Sequence, residues 1–197
     1  MKRLVVFLAL LTLLVCTAAA ETVTLGSGVN SVTVMSSSAT ETVLQYRIGS
    51  FEKIPVNIDG SEWYHILMPK EGISQEKGYP QLPVFNRSII IDNNALMALD
   101  VYDLEYQDIE LPVAPSKSVI TRNIDPATIP YVFDEVYNKN AFYPATPAEL
   151  SDPYIMRDFR GIVVKTTPFA YNPATRTLRV YTAYKIRVHA AGVDTLN

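Results

Sequence analysis

The stretch LRVYTAYKIRVH, residues 178–189, decides the fold. Leu178, Val180, Thr182, Tyr184, Ile186 and Val188 fall on one face, and Arg179, Tyr181, Ala183, Lys185, Arg187 and His189 on the other. Alternation of this length is the period of a strand with one face buried. Just upstream, GIVVKTTPFAY (161–171) reads as a second strand, and Asn172-Pro173-Ala174-Thr175 supplies turn chemistry. Together they predict a β-hairpin over 161–189.

Working outward, further strands are expected at TVLQYRI (42–48), WYHILM (63–68), RSIIID (87–92), ALMALDVYDL (95–104), DIEL (108–111) and SVIT (118–121). They are rich in tyrosine and β-branched residues, which suit a pleated surface. The 13 prolines fall mostly between these runs, where a missing N–H breaks no ladder. No segment carries a long apolar stripe at helical spacing. TPAELSDP (146–153) predicts one short helical turn, with Thr146 as cap, Pro147 at the first position and Glu149 in the first turn. Residues 21–41, rich in Ser, Thr and Val, are expected as a loosely attached strand or a partly disordered arm. The expected fold is all-β, an antiparallel β-sandwich, jelly-roll-like, with little helix.

The first residues are read apart from this domain. Lys2 and Arg3 precede an apolar run from Leu4 to Val15, followed by Ala18-Ala19-Ala20. That is the pattern of a signal peptide over 1–20, with a run too short to span a bilayer. The rival reading, a lipoprotein signal using Cys16, is disfavoured by the bulky Val15 before it. The expected domain is therefore 21–197, exported through the periplasm to the exterior or the cell surface. Cys16 is the only cysteine among the 197 residues. It leaves with the signal, so the domain has neither a disulfide nor a thiol nucleophile.

Little else in the chain points to catalysis. The formal charge is −3, with no basic stripe, so nucleic acid is not an expected partner. No second apolar run reaches the length of a membrane span. His65 and His189 are the only histidines and lack the spacing of a metal motif; His65 reads as a packed structural histidine and His189 as a surface one. Asp100, Asp103, Glu105, Asp108 and Glu110 form an acidic zone that reads as a solvated edge discouraging sheet-to-sheet pairing. No catalytic residue, metal or cofactor is expected. A domain of this kind binds or covers something, and a stand-alone adhesin or carbohydrate-binding module is one such reading.

Ordered segments point to another. ISQEKGYPQLPVFNRSI (73–89), LPVAPSKSVITRNIDPATIPYVF (111–133), Tyr137-Asn138 with Phe142-Tyr143-Pro144, LSDPYIMRDFRG (150–161) and PFAYNPATRTLRVYTAY (168–184) resemble the propeptide of the gingipain-type cysteine peptidases, nearest to the arginine-specific ones. The resemblance runs over about residues 72–188. It implies an inhibitory and folding-assisting propeptide whose partner is a gingipain-type catalytic domain. By the matching motif APSK-x-VI-x-R, it implies that Arg122 enters the partner's specificity pocket, flanked by Lys117, Ser118, Thr121 and Asn123. Lys117 is the alternative bait, better suited to a lysine-specific partner. Without the resemblance, Arg122 reads as an ordinary loop charge. The sequence stops at Asn197 without the catalytic Cys and His of that family. It is expected to be either a fragment of a longer precursor or a free-standing propeptide-like protein.

Overall fold

The computed structural model describes residues 19–194. The apolar run of the expected signal, with Cys16, lies outside the described residues.

Strand β13 (Thr177–Val193) is the spine of the molecule. It pairs along one edge with β8 (Ala95–Glu110). Its other edge is shared, first by β12 (Phe169–Asn172) and then by β3 (Glu41–Arg47). The change of partner falls at Thr182, whose carbonyl accepts the Ile48 N–H at 2.9 Å. β2 (Ser31–Ser37) adds to the outside of β3. The inward residues Leu178, Val180, Tyr184, Ile186 and Val188 are all buried, as the alternation predicts; Thr182, at the handover, is half-buried.

A second antiparallel sheet has β11 (Phe159–Thr166) and β7 (Pro83–Ile91) at its centre. The short strands β6 (Gly72–Ile73), β9 (Ala148–Leu150) and β10 (Tyr154–Met156) complete it. Phe85 and Val164 from this sheet join Leu44, Tyr46, Tyr184 and Ile186 in one apolar core. Within it the rings of Tyr46 and Tyr184 stack at 4.8 Å. Each fully buried Ile, Leu or Val side chain here stabilises the fold by about 1.5–3 kcal/mol relative to exposure. A third sheet, β1 (Glu21–Thr24), β4 (Ser50–Ile58) and β5 (Ser61–Leu67), reaches the same core through Phe51, whose ring meets Phe169 edge-on at 5.5 Å. The fold is an all-β antiparallel sandwich.

Several expected elements come out differently. Residues 161–189 do not form one hairpin. β11 belongs to the second sheet, and only β12 turns back onto β13, because Phe169, Ala170 and Tyr171 are all drawn into the core. The two strands expected over 95–111 are one continuous strand of 16 residues. The break suggested by charge at 103–108 is absorbed by Asp103, at φ 53°, beside an irregularity in the ladder. Residues 148–150 are a strand, not a helical turn. Ala148 and Leu150 pack on the core, and Glu149 meets Lys165 Nζ at 2.6 Å across the ladder, so tertiary packing overrides a weak helical signal. SVIT is irregular chain, since Ser118 at φ 78° breaks the extended path. Residues 21–41 supply the paired strands β1 and β2.

The acidic zone lies along β8 and faces the basic side of β13. Asp108 takes a bidentate pair from Arg179 at 2.8 and 2.9 Å, Asp103 accepts from Lys185 at 2.9 Å, and Asp100 lies 3.5 Å from Arg187. The Arg179 guanidinium holds the Asp108 carboxyl below its ordinary value.

Candidate functional site

The segment between β8 and β9 is built as a moored loop. Leaving β8, Leu111 N–H donates to Arg176 O at 2.9 Å. Val113 and Ala114 are fully buried and run beside β5: Ala114 N–H donates to Tyr64 O at 2.8 Å, and Tyr64 N–H donates to Pro112 O at 2.9 Å. Ser116 N–H donates to Tyr79 O at 2.8 Å.

Gly78 ties the two limbs of the loop together. Its N–H donates to Ser116 O at 2.9 Å on the outgoing limb, and its carbonyl accepts Asp134 N–H at 3.1 Å on the returning limb. Its φ of +84° suits glycine, and an added Cβ would meet Asp134 at 3.1 Å. Beyond Gly78 the returning limb lies on β5 and the core. Phe133 packs on Trp63 with ring centres 4.9 Å apart, and Tyr137 Oη donates to Val113 O at 2.9 Å. Asp134 caps the 3-10 turn Glu135–Asn138. Residues 117–133 thus leave and re-enter the body at almost one point.

At the tip, Ile124 N–H donates to Thr121 O at 3.0 Å, closing a turn in which Arg122 and Asn123 are the two central residues. Asp125 then caps the 3-10 turn Pro126–Thr128 by accepting Ala127 N–H at 2.9 Å. Thr121, Arg122 and Asn123 are exposed, and two apolar side chains beside them, Val119 and Ile124, are 63% and 46% exposed. Among the described residues Arg122 has no hydrogen-bond or ion-pair partner.

Of the five residues expected at the site, the structure brings Thr121, Arg122 and Asn123 together at the tip. Ser118 stands in the neck, where its N–H donates to Ser116 Oγ at 3.1 Å. Lys117 turns inward, its Nζ donating to Pro126 O at 2.9 Å and lying 4.1 Å from the centre of the Tyr131 ring. Tyr131 Oη is in turn 2.8 Å from His65 Nε2 on β5. Burial, with Lys117 second, holds His65 below its ordinary value, and burial pushes the Tyr131 phenol up. Sequence reasoning missed Gly78, Tyr131 and His65 as parts of this site. Only Gly78, in a Gly-Tyr-Pro run, carried a local signal, that of a turn.

Away from the loop, a cleft of about 510 Å³ is lined by β6, residues 143–149 and Lys165. Its acids are engaged: Glu76 accepts from Tyr143 Oη at 2.9 Å and Glu149 from Lys165. Among the described residues no three His, Cys, Asp or Glu side chains cluster as metal ligands, and no helix is long and apolar enough to cross a membrane.

The Propeptide_C25 family model matches residues 22–196. The chain belongs to the Propeptide_C25 family. It is 37% identical over 150 residues to Gingipain R1 of Porphyromonas gingivalis, a match covering 71% of this chain and 15% of that protein. It is 41% identical over 132 residues to Gingipain R2 of the same species, covering 64% of this chain and 18% of that protein. The chain therefore spans only a small part of the curated relatives it matches. Among solved structures it is similar to the complex of P. gingivalis RgpB pro- and mature domains, with a TM-score of 0.78 and 32% identity over 84% of this chain and 90% of that one. A structure addressing zymogenic latency of gingipain K from P. gingivalis shares the fold, with a TM-score of 0.75 and 18% identity over 88% of this chain and 100% of that one. This Propeptide_C25 chain is a gingipain-type propeptide.

Proposed function

We propose that this domain holds a gingipain-type cysteine peptidase latent by covering its active-site cleft, with Arg122 inserted into the specificity pocket, and that it assists the folding of that peptidase. The observation that carries this reading is the exposed turn Thr121–Ile124, which presents an unpartnered guanidinium on a loop fastened at both ends. A pocket selective for arginine needs a carboxylate in a fitted slot, and the planar guanidinium can meet it bidentately. Exposed Val119 and Ile124 add apolar contact beside it. A loop already ordered before binding loses less entropy on docking. Lys117 fits the bait role less well, because its ammonium is spent on Pro126 O and Tyr131.

The same reading places the domain outside the cytoplasm, carried by a signal over 1–20 through the periplasm to the surface or exterior, with the peptidase domain as partner. The test is inhibition of an arginine-specific gingipain by residues 21–197, beside Arg122→Ala. Inhibition in the micromolar range or tighter is expected of the unaltered chain, and its absence overturns the reading. Equal potency of the alanine variant removes the assignment of Arg122 alone.

A further inference from the structure

The loop bearing Arg122 is held across its neck by side chains as well as at its base by Gly78. Lys117 leaves the outgoing limb, and its ammonium reaches Pro126 O on the far side of the turn. The same ammonium lies over the face of Tyr131, where the ring quadrupole attracts a cation. Tyr131 is hydrogen-bonded to His65, which sits within the β4–β5 ladder opposite Ile54. A chain of contacts therefore runs from a rigid strand through Tyr131 and Lys117 to the residue that follows the Asp125 cap. Everything between Lys117 and Pro126, including Thr121, Arg122 and Asn123, is enclosed by it. Without the clasp, these residues rest on the Ser118 N–H bond to Ser116 Oγ, the turn bond from Ile124 N–H to Thr121 O and the short-range hydrogen bonds that Asp125 accepts from Ala127 and Thr128. Elements so lightly held open at low free energy.

We propose that Lys117 is a positioning residue: together with Tyr131 and His65 it pre-orders the loop so that Arg122 is presented in the conformation that docks. This rests on the reading of Arg122 as the inhibitory residue and extends it to the side chains that never touch the peptidase pocket. Lys117 acts on the partner only through the loop. An arginine at 117 retains the function, since a guanidinium can both stack on Tyr131 and donate to a carbonyl; a methionine keeps the length of the side chain and loses both contacts.

The experiment compares residues 21–197 carrying Lys117→Met, Lys117→Arg, Tyr131→Phe and Arg122→Ala with the unaltered chain. Two readouts are taken, amide hydrogen exchange of the free domain and inhibition of an arginine-specific gingipain. Lys117→Met is expected to speed exchange over 118–128 about tenfold, leave β13 protected, and weaken inhibition about tenfold through faster dissociation. Lys117→Arg restores both. Tyr131→Phe, which removes only the hydroxyl to His65, shifts both in the same direction by less, and serves if the methionine variant loses β13 protection. Unchanged exchange over 118–128 in Lys117→Met and Tyr131→Phe overturns the proposal. Faster exchange with unchanged inhibition, while Arg122→Ala is weakened, overturns the positioning role and leaves Arg122 in place. No inhibition by the unaltered chain removes the reading of Arg122, and the positioning role falls with it.

Discussion

Two regions of this molecule each lay a basic side chain over a tyrosine, with opposite outcomes. In the β8–β13 ladder, Arg179 lies 3.9 Å from the Tyr106 ring centre and 4.1 Å from that of Phe142, and Asp108 binds it at two points. In the loop, Lys117 lies over Tyr131, but its polar partner is a neutral carbonyl, and among the described residues neither it nor Arg122 is ion-paired. The ladder uses its cations internally, as cross-strand pairs that also keep an edge strand from joining other sheets. The loop engages one cation within itself and leaves the other, Arg122, exposed at its tip. Cations paired within the fold and the unpaired cation at the tip of the turn are thus held apart.

That separation can be broken experimentally, beginning with the largest effect. Ile186→Ala, on the buried face of the ladder, is expected to cost about 2–5 kcal/mol of stability by urea unfolding, while the fraction still folded inhibits as before. Arg122→Ala is the mirror image: no shift in the unfolding midpoint, and a loss of about 2 kcal/mol or more in peptidase binding measured by titration. A drop in stability with this variant would mean that Arg122 serves the fold after all. Gly78→Ala acts where the two limbs of the loop are tied together. Forcing a side chain into positive φ costs about 1–2 kcal/mol, and crowding Asp134 loosens the returning limb, so stability and inhibition fall together.

The smallest effect is one of pH. Burial and Lys117 hold His65 below its ordinary value, so as pH falls the unfolded chain takes up that proton first. The stability tied to neutral His65 is fully present above the unfolded value of about 6.5. It declines between the unfolded and folded values, and levels off once both states are protonated, with a slope no steeper than about 1.4 kcal/mol per pH unit for one proton. Thermal unfolding from about pH 7.5 to 5 is expected to show this decline, and His65→Gln to flatten it; an equal decline in the variant would assign it to another group.

What was legible in the sequence follows the range of the forces involved. β13 could be read because its alternation records burial directly, residue by residue. The break imagined between β8's two halves was an error of the same logic: Asp103 to Asp108 looked like loop because their neutralising partners, Arg179 and Lys185, lie far along the chain. TPAELSDP looked helical because local capping chemistry was visible and the β11 ladder it joins was not. Arg122 came from family resemblance, and no pattern of its own marked it. The inward turn of Lys117 had no local signal, because it depends on Tyr131 and on His65, which lies 66 residues before Tyr131. Gly78 announced a turn, but not that the turn would fasten both limbs of a distant loop.

The position of β13 in the chain also imposes an order of events. β3, β8 and the entire Arg122 loop precede it, yet both β3 and β8 take it as their ladder partner; Asp103 waits 82 residues for Lys185. Pairings this remote close slowly, and only after the intervening chain is available. Leu111, where the loop begins, and Tyr143, just beyond its return, bond to Arg176 and Tyr171, which arrive with or just before that strand. A ribosome making this domain therefore finishes the arginine turn, and the segments around Tyr64 and Gly78 that hold its limbs, before the strand that completes the sheet, so an interrupted chain carries the loop without the ladder that fixes its outer ends.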